Sequence, residues 1–153
     1  MPLGVAWKLK SGMMGFFGIM EKNAQDLFQL AMKHIYGDGV PEDNDLAFRL
    51  LEQAHEMGHV EAGYNLGICY HYGFGAAVDL EKAFHLYLEA ANAGYGKGME
   101  LVGRFYNRGI YVAWDRQKAE SWLLKAMSSS DPAAVEEAKK ELAAASPTVI
   151  ANQ

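Results

Sequence analysis

The chain has little of what anchors a small domain covalently or chemically. It holds one cysteine, Cys69, in 153 residues, so no internal disulfide can form and nothing demands an oxidising compartment. It holds only 4 prolines, and no apolar run approaches the roughly 18 residues needed to span a bilayer. Positive charge is also short: 14 lysines and arginines face 19 acids, a formal charge of −5. Neutralising a phosphate backbone needs a basic face, so nucleic acid is not the expected partner. Half the residues are apolar and 22% charged, the balance of a globular domain with a continuous core.

Glycine, by contrast, is plentiful, with 16 copies, and many of them are periodic. Ala62, Leu66-Gly67, Tyr70, Gly73, Gly75, Asp79, Ala83, Ala90-Ala91 and Gly94 form a pattern. Thirty-six positions earlier stand Leu30-Ala31, Gly37, Gly39, Asp43, Ala47, Ala54 and Gly58. Thirty-six later stand Gly98, Val102-Gly103, Tyr106, Gly109, Asp115, Ala119 and Ala126. A fixed period of this size marks a repeat array. Within each unit the apolar residues follow helical spacing, as in Leu27, Leu30, Ala31 and His34 and then Leu46, Ala47, Leu50, Leu51 and Ala54. Glycines punctuate the helix ends, and Asp43 is placed to cap the second helix. Small Gly67 and Ala83 stand where two helices approach closely. One unit therefore reads as helix, glycine turn, helix, glycine turn.

The third unit loosens. Gly75 becomes Tyr111, Ala90-Ala91 becomes Ala126-Met127, and Gly94 becomes Ser130. Because a tyrosine resists positive φ, the 109–114 loop is expected to take another path. Asp131-Pro132 then starts a further helix. Val135, Ala138 and Leu142 form its apolar stripe, while Glu136, Glu137, Lys139, Lys140 and Glu141 are expected to face water. The organisation predicted is an N-terminal apolar segment (1–22), three 36-residue units (23–130), a C-terminal capping helix (131–145) and a frayed tail (146–153).

Residues 13–20, behind Lys8 and Lys10, have a superficial likeness to a secretory signal. The stretch is short, carries Gly15 and Gly18, and has no small-residue cleavage site after it. A cytoplasmic protein is expected, with secretion or the periplasm as the alternative. Met13, Phe16, Phe17 and Met20 share one helical face. They suit a cap over the first unit, a homodimer or partner contact, or attachment to a membrane surface.

The repeated pattern from Ala62 to Gly94 resembles the Sel-one-like repeat (SLR), a relative of the tetratricopeptide repeat. The resemblance covers residues 24–127 as three units and leaves out the outer segments. The first unit departs from it at Ala31 for Gly67 and at His55 for Ala91. The resemblance implies an all-α fold, an α/α superhelical solenoid. It implies an adaptor or scaffold, often in bacterial signalling, envelope or virulence settings, and no catalytic residues or cofactor.

Other chemistry finds little support. His55 and His59 are four apart, but Gly58 between them ends a helix and no third ligand is apparent, so packing or turn roles are expected rather than a metal site. Cys69 and His71 point away from each other on a helix and make no nucleophile–base pair. Asp38, Glu42, Asp43 and Asp45 miss the calcium-loop pattern, because Asp43 stands where its glycine is needed. The glycine-rich turns follow no strand. A non-catalytic protein is therefore expected; a metal-dependent enzyme is the remote alternative.

In a helix-pair solenoid the first helices of successive units line the binding surface. Their positions outside the inner stripe predict a groove for a protein or peptide: Gln29, Met32, Lys33 and Tyr36; Asn65, Ile68, Cys69 and Tyr72; Leu101, Arg104, Phe105 and Arg108. Arg104 and Arg108, four apart, could clamp a partner's carboxylate or simply be solvated. A narrower version of this function is a bacterial immunity or inhibitor protein that neutralises one toxin or effector.

Overall fold

A computed structural model describes residues 22–145. The expected N-terminal cap or dimer contact on residues 13–20 and the tail after residue 145 lie outside the described residues. Among the described residues seven α-helices follow one another: α1 (Ala24–Tyr36), α2 (Asn44–Glu56), α3 (Val60–Tyr72), α4 (Leu80–Asn92), α5 (Gly96–Arg108), α6 (Arg116–Met127) and α7 (Pro132–Ala145). Each packs on the next, and α5 also touches α7. Among the described residues there is no strand, and no helix is long and apolar enough to cross a membrane. The chain is an all-α solenoid in which neighbours in sequence are neighbours in space.

Local chemistry repeats with the period. The odd helices α1, α3 and α5 end on Gly37, Gly73 and Gly109, all left-handed, whose N–H groups bond back to Lys33, Cys69 and Phe105 carbonyls. Each following even helix begins at an aspartate. Asp43, Asp79 and Asp115 accept from the N–H of Leu46, Lys82 and Lys118 at 2.9–3.0 Å, which satisfies a donor the helix would otherwise leave open. The same three aspartates donate their own N–H to His34, Tyr70 and Tyr106 carbonyls, tying each turn to the helix before it.

Small residues set the spacing between helices. A Cβ on Gly67 would lie 2.7 Å from the Tyr87 ring, and one on Gly103 would lie 2.6 Å from Leu123. A Cβ on Gly98 would come within 3.0 Å of Ala90, Ala91 and Tyr87 atoms in the preceding unit. Glycine is thus required both inside a hairpin and between hairpins, where close packing leaves no room. The core divides accordingly into clusters around Leu51 and Leu66, around Tyr87 and Phe105, and around Leu123 and Ala138.

Two expectations need correction. Tyr111 keeps the positive φ of its slot, at 61°, beside 73° at Gly39 and 70° at Gly75. It does so in a three-residue turn closed by Val112 N–H on the Ile110 carbonyl at 2.6 Å. Left-handed tyrosine costs about 1 kcal/mol, offset by its ring against Phe84 and His85 at 5.8 and 6.3 Å.

The second correction concerns α7. Asp131 caps it as expected, accepting from Ala133 N–H at 2.9 Å. Its start falls 36 residues after that of α5, so α7 occupies the place of a first helix in a fourth, half unit. Glu141 consequently stands in the register of the buried Cys69 and Phe105 and is itself only 4% exposed. It faces inward, not water.

Candidate functional site

The odd helices build one face of the array. On it, α3 contributes Tyr64, Ile68 and Tyr72, α5 contributes Lys97, Glu100, Leu101 and Arg104, and α7 contributes Ala133, Ala134 and Glu137 around a cavity of about 320 Å³. Tyr64, Ile68 and Tyr72 recur every fourth residue, so one helical stripe becomes one groove wall. Tyr64 is fixed from behind by Tyr87 and Tyr95 at 5.8 and 5.1 Å, and burial pushes its hydroxyl up to about 12. It therefore serves the groove as a neutral, half-buried ring.

Of the residues expected from sequence, Ile68, Tyr72, Leu101 and Arg104 line this cavity. Tyr36 and Tyr72 are 71% and 56% exposed and occupy the same slot of successive units. Met32 is partly buried in the same register as Ile68 and Arg104. Two columns behave differently. Cys69 and Phe105 are buried, whereas Lys33 in the same slot is exposed. Leu101 is buried to its cavity edge, Asn65 partly so, and Gln29 is exposed. Cys69 and Phe105 belong to the seam against the preceding hairpin, and Leu101 sits where that seam meets the cavity. Gln29 and Lys33, in the first unit, are exposed. Burial also holds the Cys69 thiol protonated, its pKa near 11, which removes the thiolate that reactivity needs.

The arginines are engaged from within the chain. Arg108 Nε and Nη2 donate to the two Glu141 oxygens at 2.9 and 2.6 Å, a bidentate pair, and Asn107 donates to Glu141 Oε1 at 2.8 Å. Arg104 Nη2 lies 2.6 Å from Glu100 Oε1, out of line for a directed hydrogen bond, and its Nε lies 3.7 Å from Glu141. Of the clamp offered in sequence to a partner's carboxylate, Arg108 thus holds Glu141, while Arg104 lies among Glu100, Glu137 and Glu141 at 2.6, 3.7 and 3.7 Å. Sequence inspection missed Glu100 and Glu141 because buried glutamates are rare. The available signal was the 36-residue register, which places Glu141 opposite Phe105.

The two glutamates titrate in opposite senses. Burial, only partly countered by Arg104, raises the Glu100 carboxyl above its ordinary value. Burial works the same way on Glu141, but the bonds from Arg108 and Asn107 and the two guanidinium charges outweigh it, so its carboxyl lies low. For Glu100 the folded chain binds more protons than the unfolded one, so its ionisation costs stability as pH rises from 4.5 through the raised value. Glu100→Gln removes that loss. The melting temperature of Glu100→Gln minus that of the parent is expected to increase along a buffer series from about pH 4 to about pH 7. A difference that is flat or falls over this range contradicts the assignment.

The paired histidines serve packing. His59 Nδ1 accepts the Ala62 N–H at 3.1 Å as the α3 cap, its Nε2 meets Gln25 at 2.9 Å, and its ring stacks on Phe28 at 4.5 Å. His55 instead pairs with Glu89 at 3.4 Å. No group of three or more metal-ligating side chains occurs among the described residues.

Comparison with known proteins bears out the repeat fold. The family model described as Sel1 repeat matches residues 24–59, 60–95 and 96–131. Among solved structures, a Sel1 repeat protein from Oxalobacter formigenes is 26% identical, with a TM-score of 0.71 over 73% of this chain and 46% of that one. A protective antigen of uropathogenic Escherichia coli strains displaying an SLR fold is 24% identical, with a TM-score of 0.68 over 80% of this chain and 30% of that one. The chain therefore spans less than half the length of either structure. Comparison with curated proteins returned no match.

Proposed function

Because the chain belongs to the Sel1-repeat family, we propose that it is a non-catalytic interaction module that holds a segment of a partner protein in the groove of its odd helices. Repeats of this family mediate protein–protein interaction and are typically non-catalytic. The observation that carries the groove reading is the cavity walled by Tyr64, Ile68 and Tyr72 between α3, α5 and α7. Exposed tyrosines at a fixed spacing, with an apolar body and a polar tip, are the side chains that concentrate binding energy at interfaces. Met32 and Tyr36 extend the same surface onto α1, and Arg104 and Arg108 close it at the other end.

Tyr36→Ala together with Tyr72→Ala should leave the melting temperature unchanged, because both rings are largely exposed. The pair is expected to weaken binding of the principal protein captured from native lysate at least about tenfold, or roughly 1.4 kcal/mol. Titration of that protein against parent and variant by calorimetry measures it. Equal affinity would move the interface off this face.

A further inference from the structure

We infer that the partner segment entering this groove is apolar and uncharged where it meets Arg104, because Arg108 is already bonded to Glu141 and Arg104 already lies 2.6–3.7 Å from Glu100, Glu137 and Glu141. The inference rests on the groove reading above and names the chemistry of the occupant. Each charge around the cavity has an internal counterpart. Lys97 lies 3.7 Å from Asp131, Arg104 lies 2.6 Å from Glu100, and Glu137 lies 2.7 Å from Lys140. Arg108, just beyond, is bound at both edges of Glu141. No sign of charge is left over for a partner to complement.

An incoming carboxylate would have to displace Glu141 or join it. Displacement is resisted because Glu141 is carried on a helix anchored by the buried Ala134 and Ala138. Joining would place a third carboxylate beside Glu100 and Glu141 with the same two guanidinium groups, and like charges in a shielded site repel strongly. An incoming ammonium would meet Lys97 and Arg104, and the glutamates beside them, Glu100 and Glu137, are already paired within the chain. The remaining surface is Tyr64, Ile68, Tyr72 and Leu101, and Ala133 leaves space above it. At about 320 Å³ the cavity is at the small end of the roughly 300–1,000 Å³ typical of ligand pockets. It accepts a few apolar side chains of a protein segment better than a cofactor. Aliphatic or aromatic anchors on a partner helix or strand match it.

The test is to pan a random-peptide phage library against the immobilised full chain. Enriched sequences are expected to share aromatic or aliphatic anchors without enrichment of Asp or Glu. The strongest peptide should lose at least about tenfold in affinity for Tyr72→Ala and change less than about twofold between roughly 0.05 and 0.5 M salt. In Glu141→Gln, with folding checked by circular dichroism, carboxylate-bearing sequences should appear. If parent protein selects acidic sequences whose binding collapses with salt, the inference is overturned while the groove stands. If the enriched peptides bind Tyr72→Ala as tightly as the parent, or no sequence is enriched, the groove reading fails and takes the inference with it.

Discussion

Replacing Arg104 by leucine is expected to destabilise the fold by about 3 kcal/mol, since removing one member of a buried charge pair strands the others. The side chain is 24% exposed, so the lower end of the usual 3–5 kcal/mol range applies. Buried Glu100 would then lose its ion-pair partner, and buried Glu141 would keep Arg108 alone. At roughly 2–4 °C per kcal/mol for a chain of this size, the melting temperature should fall by about 6–12 °C. Adding Glu100→Gln should restore part of the loss, because it removes the carboxyl whose ionised form burial already disfavours. Calorimetric unfolding of the parent, the single variant and the double variant measures both effects. A single variant that melts with the parent would mean that Arg104 is a solvated surface charge after all.

Gly75→Ala should cost about as much by a different route. A Cβ there would lie 2.3 Å from the Asn44 carbonyl oxygen and 2.8 Å from Phe48 Cβ, both in the preceding hairpin. Backbone cannot rotate away as a side chain can, so α2 and the second turn must separate. That overpacking, about 1–3 kcal/mol, adds to the 1–2 kcal/mol that left-handed φ imposes on alanine. Gly39→Ala is the internal control. It has nearly the same φ, 73° against 70°, but nothing within 4 Å, so only the backbone share of about 1 kcal/mol applies. The difference, about 2 kcal/mol, isolates the contact between hairpins. Denaturant titrations of the two variants are expected to separate by that amount, and equal midpoints would contradict the stacking.

The parts of this fold that sequence makes legible are those governed by local backbone chemistry. Gly37, Gly73 and Gly109 take left-handed φ, and Asp43, Asp79 and Asp115 accept from their helix N-termini. Those roles demand particular residue types at particular offsets, so they surface as a period. Side-chain surroundings are less legible because they depend on which hairpin lies next door. Lys33, Cys69 and Phe105 share one slot, yet the first is exposed and the others are buried, the latter two in the clusters they share with the hairpin before them. A list of non-stripe positions could not separate that seam from the groove. Glu141 was hidden for a related reason. Between Lys140 and Leu142 it reads as the polar face of a terminal helix, and only the continued 36-residue register places it inward.

Hydroxyl-radical footprinting of the full chain, free and saturated with its captured protein partner, tests most directly whether this face is where the array works. Protection of Tyr36, Tyr64 and Tyr72, with unchanged labelling of Met57, Val78 and Leu124 elsewhere on the surface, is the predicted result. Protection confined to residues of the even helices, with the three tyrosines labelled as before, would contradict it.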